Sequence, residues 1–157
     1  MSFQIHALPY ERFAPIFELS HAELAKAGAA RLIVDAKPGF PCRVSLADAE
    51  PGETVVLVNF EHQPANSPYR SSHAIFVREN ADQAFPDVGE VPRVLESRVI
   101  SMRAFDGKHY MIAADVVEGS ELREAIPSIL RNPAVSYLHL HNAKPGCFAA
   151  SVTRAQL

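Results

Sequence analysis

The chain has no tryptophan, only two cysteines and seven glycines in 157 residues, and no surplus of basic side chains. Each shortage excludes something. Two cysteines are too few for a disulfide-stapled scaffold, and a chain of this length buries a sizeable core without staples. Fifteen Lys and Arg against eighteen Asp and Glu leave a formal charge of −3. A dedicated nucleic-acid binder needs the opposite balance, because its affinity comes from cations that displace counterions from phosphates. No apolar run approaches the ~18 residues that cross a bilayer, so no membrane partner is expected. The first residues lack a basic stretch followed by an apolar one. No secretory signal is therefore expected, and the two thiols are expected to be reduced in a cytoplasm. Low-complexity tracts and repeats of solenoid length are missing too.

What remains is the composition of a soluble globular chain, 48% hydrophobic and 21% charged, at the length of a single domain spanning residues 1–157. Twelve prolines cut it into short elements. Strands are expected at Phe3 to Leu8, Arg31 to Asp35, Val55 to Phe60 and His73 to Arg78. Ser20 and Glu23 form a capping box that opens a helix over 21–27, with Leu19 and Leu24 at the staple positions and Gly28 as the C-terminal cap. Glu61 to Ser72 reads as a long loop broken by Pro64 and Pro68, a place to look for function. A short helix follows around Arg93 to Arg98. Asp106-Gly107 signals a two-residue hairpin turn between Val99–Phe105 and Lys108–Val117. Leu122, Ala125, Ile126, Ile129 and Leu130 follow the helical period, with a kink or early break expected at Pro127. Strands Val135 to His141 and Phe148 to Thr153 flank a Lys144-Pro-Gly turn. The fold class is α+β: a mixed, mostly antiparallel sheet with two or three helices packed mainly on one face.

Alternation on a strand puts Tyr137, His139 and His141 on one face and Leu138 and Leu140 on the other. The two imidazoles then stand roughly 6–7 Å apart at the backbone, close enough to converge on one ion or one phosphate. A reversal at Pro145-Gly146 returns Cys147 to the strand end. Two His and one Cys fall short of a closed zinc site. His62 or His73 on a neighbouring loop could add a ligand, but the standard spacing is missing and the Lys144 ammonium would repel a dication. A metal-free protein is the expectation, and histidines hydrogen-bonded on a polar sheet face are the commoner arrangement. Glu61, His62, Tyr69, Arg70 and His73 concentrate groups useful to an active site, with imidazoles suited by type to proton transfer near neutrality. Arg43, Arg78 and Arg103 stand at turns and strand ends, and arginine suits a planar grip on carboxylate or phosphate. Asn142 and Lys144 adjoin the histidine strand.

These residues predict a small, anionic ligand gripped by arginines, with His73, His139 or His141 moving any proton and no cofactor specified. Cys42 and Cys147, each after a Lys-Pro-Gly segment, are expected to be buried small hydrophobes. A competing reading is a non-catalytic module that binds a protein partner or oligomerises through an apolar patch. Burial of Phe13, Phe17, Phe85 and Ile129 bears on that.

Asp35 to Arg43, Asn59 to Gln63, Ser67 to Arg78, Arg103 to Asp106 and His139 to Cys147 together resemble DUF1203, a bacterial domain-of-unknown-function family. The resemblance covers nearly the whole chain and implies a small, stand-alone bacterial protein. It carries over no activity, cofactor or catalytic residue. His139-Leu-His141 is also similar to part of the motif of histidine-triad nucleotide hydrolases and transferases. That likeness implies a histidine nucleophile attacking an α-phosphate, yet Tyr137 stands where the third histidine would be, and Ala143 follows at the other end.

Overall fold

The computed structural model describes residues 2–156. Among them are eight strands in two antiparallel sheets and three short α-helices, an α+β chain. In order these are β1 (Phe3–His6), α1 (His21–Lys26), β2 (Ala30–Ile33), β3 (Thr54–Gln63), β4 (Ser71–Arg78) and α2 (Arg93–Glu96). Then follow β5 (Val99–Phe105), β6 (Met111–Glu118), α3 (Leu122–Leu130), β7 (Tyr137–Asn142) and β8 (Phe148–Arg154). The strands divide between a five-stranded sheet, ordered β1-β8-β7-β5-β6, and a three-stranded one, ordered β2-β3-β4. One sheet was expected; two are present. No described helix is long and apolar enough to cross a membrane.

Packing separates two compact units. One comprises the N-terminal stretch to His6, Glu61–His73 and the chain from Phe85 onward; the other comprises Ala7–Phe60 and Ala74–Ala84. The chain passes from the second unit to the first within β3 and returns within β4.

In the first unit, β7 lies between β8 and β5, so both its edges are paired. Leu138 and Leu140 on β7 share a face with Ala104 and Met102 of β5 and Val152 and Ala150 of β8, their direct cross-strand partners. All six are buried, as are Leu122, Ile126 and Leu130 on the apolar stripe of α3. The stripe falls where the helical period predicts. Pro127 does not end α3, which continues to Leu130. The carbonyl that Pro127 cannot serve belongs to Arg123, an exposed residue whose backbone can reach water.

In the second unit, Val34, Ala49 and Val55 form a small core with Phe40 and Phe76 packed against it. Both halves of the Ser20–Glu23 capping box are made, and Gly28 after α1 has φ +68°. Arg78 pairs with Glu53 at 2.7 Å and donates to Ser45 Oγ. The Cys42 thiol is buried and accepts N–H groups from Ser45 and Arg78.

Two sequence expectations change where the backbone finds polar partners. The loop predicted over Glu61 to Ser72 shrinks to 64–70, because β3 runs through Gln63 and β4 begins at Ser71. Polar Glu61-His62-Gln63 breaks the apolar pattern, but a strand needs only that its buried polar groups be satisfied, and Gln63 Nε2 donates to Tyr137 Oη at 2.9 Å. The β5–β6 connection is a longer loop than a two-residue turn. Asp106 Oδ1 accepts from the backbone N–H groups of Lys108 and Tyr110, and His109, not Gly107, takes the left-handed conformation at φ +66°.

Candidate functional site

The face of β7 opposite its leucines carries Tyr137, His139 and His141. Across the ladder to β5 their partners are Phe105, Arg103 and Ser101 respectively. Directly opposed residues share a face, so strand register alone lines up two imidazoles, a phenol and a guanidinium. On the other side, β8 contains a bulge: Leu140 pairs with Ala150, whereas His141 pairs with Phe148. Ala149 is the extra residue. Unbroken alternation would set its methyl opposite His141; the bulge substitutes a phenyl ring.

A third imidazole comes from His62 on β3. Its ring centroid lies 4.7 Å from that of His141 and 6.2 Å from that of His139. Phe148 touches all three rings, stacked on His62 at 5.8 Å and edge-on to His139 at 5.2 Å and His141 at 5.8 Å. One nitrogen from each imidazole lies within 4.8 Å of one from each of the others. The three side chains are 9%, 7% and 1% exposed for His62, His139 and His141.

Burial leaves polar atoms without partners. His62 Nδ1, His139 Nδ1 and His141 Nε2 are buried and make no hydrogen bond. Each such atom costs roughly 1–3 kcal/mol in lost hydration, a concentrated expense in one small volume. The other nitrogen of His141, Nδ1, lies 2.9 Å from the Gly146 carbonyl oxygen. A carbonyl only accepts, so Nδ1 carries the proton and Nε2 presents a lone pair.

Electrostatics agree with neutral rings. Burial pushes His139 down to about 4, helped by the charges of His62 and Arg103. Burial likewise pushes His141 down to about 3, against the Gly146 hydrogen bond and with the help of Arg103. His62 is lowered by burial, then by Arg103 and His73. Arg103 thus acts on all three rings. Its only side-chain hydrogen bond among the described residues is from Nε to Ser101 Oγ at 3.3 Å, and it pairs with no carboxylate there. Rings held neutral in this way are weak proton carriers near neutrality and good lone-pair donors.

Beside the cluster runs a hydrogen-bonded chain. Gln63 Oε1 accepts from Ala65 N–H, so its Nε2 donates to Tyr137 Oη. The phenol also shares a hydrogen bond with His109 Nδ1, 2.7 Å away. Phe105 stacks on Tyr137 at 5.2 Å and contacts His139 at 5.0 Å.

The sequence-predicted residues therefore sort unevenly. His62, His139, His141 and Arg103 are brought together. His73 is near: its charge reaches His62, and a Cβ added at Gly146 would lie 4.0 Å from its Nε2. Glu61 and Arg70 pair with each other at 3.3 Å on the exposed surface. Tyr69 packs edge-on to Phe105 and Tyr110. Asn142 Nδ2 sits 3.6 Å from the buried Cys147 thiol, its Oδ1 buried without a partner. Lys144 is exposed at the turn. Arg43 and Arg78 belong to the other unit, Arg43 buried and donating to the Pro41 carbonyl. Both cysteines are buried, as expected, and neither is in a disulfide among the described residues. Phe148, Gln63, Ser101 and His109 were not anticipated. Phe148 is aimed by a bulge that leaves no sequence signal, whereas Ser101 follows from the register once β5 is paired with β7.

A protein-family model described as "Protein of unknown function (DUF1203)" matches residues 39–154. No curated protein and no solved structure matches the chain.

Proposed function

The chain belongs to the DUF1203 family, and from that premise we propose that its histidine face binds a small oxyanion through Arg103. The observation that carries the reading is a half-buried guanidinium directly across the ladder from His139, with no carboxylate partner among the described residues. The chain has eighteen acidic side chains to offer. The side-chain charges that lower the three imidazoles are positive, Arg103 among them for each ring. A planar donor fork facing three neutral rings suits a carboxylate, bicarbonate or phosphate. Two buried cysteines outside any disulfide suit a reducing compartment, so the working picture is a bacterial, cytoplasmic, ligand-binding protein.

Thermal unfolding with acetate, bicarbonate and inorganic phosphate tests this. At least one of them raises the melting temperature by a few degrees at millimolar concentration, and Arg103→Gln removes the shift. No shift from any of the three, or an equal shift in the variant, sinks the proposal.

A second reading, a partner-binding module, draws on Phe85 and Val88, which are 81% and 52% exposed, while Phe13 is buried and Phe17 and Ile129 are half-buried. A dimeric mass by light scattering that turns monomeric in Phe85→Ser would favour it. An unchanged monomer would remove it.

A further inference from the structure

We propose that His62, His139 and His141 together bind one divalent transition-metal ion. The three rings converge, with one nitrogen from each inside a 4.8 Å limit. Ligands of a tetrahedral ion at ~2.0 Å stand roughly 3.3 Å apart, so closing on a metal takes at most about 1.5 Å of movement. Ring rotation supplies movements of that size. Each ring also has one buried nitrogen without a hydrogen-bond partner, the condition that a metal–ligand bond relieves.

The supporting shell fits the same assignment. A ligating imidazole normally donates its other N–H to a carbonyl or carboxylate, which fixes the tautomer. His141 does this through Nδ1 to Gly146 oxygen, leaving Nε2 as the donor atom. Phe148 packs against all three rings and shields them from water. Three neutral imidazoles suit zinc, copper, iron or nickel better than calcium or magnesium, which prefer oxygen. Three ligands also leave at least one position open, the arrangement of catalytic sites rather than structural ones.

Two positive charges argue the other way. Lys144, which would oppose a dication from the adjoining turn, is exposed to water. Arg103 stands directly across the ladder from His139, and its charge opposes a metal. An oxyanion bound to the open position and to Arg103 offsets both charges, so the metal deepens the oxyanion reading without requiring it.

The probe is zinc alone, added to chelator-stripped protein in a buffer free of the three anions. One zinc per chain by calorimetry and elemental analysis is expected. His62→Ala, His139→Ala and His141→Ala each lower the affinity by at least ~100-fold, while His21→Ala, at an exposed position of α1, leaves it unchanged. Histidine ring-nitrogen NMR of the unmodified chain covers variants that fail to fold: zinc shifts the resonances of these three rings. Absence of stoichiometric zinc, equal affinity in the three variants, or shifts confined to other histidines would overturn the proposal. Arg103→Gln keeps one zinc per chain, so a failed oxyanion reading and a failed metal reading give different results.

Discussion

His141 Nδ1 and the carbonyl oxygen of Gly146 lie 2.9 Å apart, across a turn that Gly146 closes with φ +84°. The glycine's conformation aims the carbonyl, the carbonyl fixes the imidazole tautomer, and the tautomer leaves a lone pair on the buried, unpartnered Nε2. A backbone torsion is thereby coupled to site chemistry. Gly146→Ala strains the left-handed conformation by about 1 kcal/mol and brings a methyl to 4.0 Å from His73 Nε2. The expected result is a folded protein, slightly less stable, with zinc affinity reduced about 10-fold. Calorimetry on the variant checks it; unchanged affinity would separate Gly146 from the orientation of His141.

Gly119 answers to packing instead. A Cβ there would lie 1.9 Å from Leu95 oxygen and 2.6 Å from Arg98 oxygen, both backbone atoms that cannot swing aside. Gly119 N–H also donates to Arg98 oxygen at 2.7 Å, so the segment cannot simply retreat. Gly119→Ala is expected to cost more than about 3 kcal/mol in urea unfolding. Gly107→Ala, whose new methyl would meet only Ser136 Oγ at 3.5 Å, is the control and stays within about 1 kcal/mol of the parent.

Tyr137→Phe removes one oxygen and leaves two groups unserved. Gln63 is 2% exposed, so its Nε2 loses its acceptor in a place water reaches poorly. His109 is exposed and rehydrates. The expected loss is about 1–2 kcal/mol. Adding Gln63→Leu in the same chain should recover part of it, since an apolar side chain has nothing to satisfy. Full additivity of the two losses would mean that the Gln63–Tyr137 bond is not made.

How much of this was legible in the sequence depended on whether a local rule governed it. Alternation placed His139 and His141 opposite Leu138 and Leu140, and Ser20 with Glu23 announced the start of α1. Neither needs knowledge of distant residues. His62 is recognisable by type as a useful side chain, but its strand is not announced, because Glu61, His62 and Gln63 carry no apolar period. Their partners, Tyr137 among them, lie far along the chain. The sequence leaves both His62 and His73 open as a further ligand, and nothing local chooses between them. The neighbouring lysine and the missing standard ligand spacing are what point to a metal-free protein. Phe148 depended on a bulge, which shifts register by one residue without any compositional mark. Asp106-Gly107 misled in the opposite sense: a strong local signal yielded to Asp106 side-chain hydrogen bonds that stabilise a longer loop.

Acid should weaken the metal-free protein before ordinary carboxylates begin to protonate. His139 and His141 have native values of about 4 and 3, against 6.5 for an unperturbed imidazole. Between those values and 6.5 the unfolded chain binds protons that the native chain refuses, so stability falls as pH falls. Above 6.5 both states are neutral at these positions and the contribution is complete; it drains away below 6.5 and is gone beneath the native values. His62 and His6 are lowered too and act in the same direction. For His139 and His141 the loss between pH 6.5 and 5 is on the order of a few kcal/mol. Carboxylates of ordinary pKa remain mostly ionised down to about pH 5, which makes pH 6.5 to 5 the diagnostic window. Urea unfolding with chelator present should show the midpoint dropping steadily across it, with an unchanged slope. A flat or rising midpoint would mean that these imidazoles accept protons in the native state, and the assignment of three neutral, inward-facing rings would fall with it.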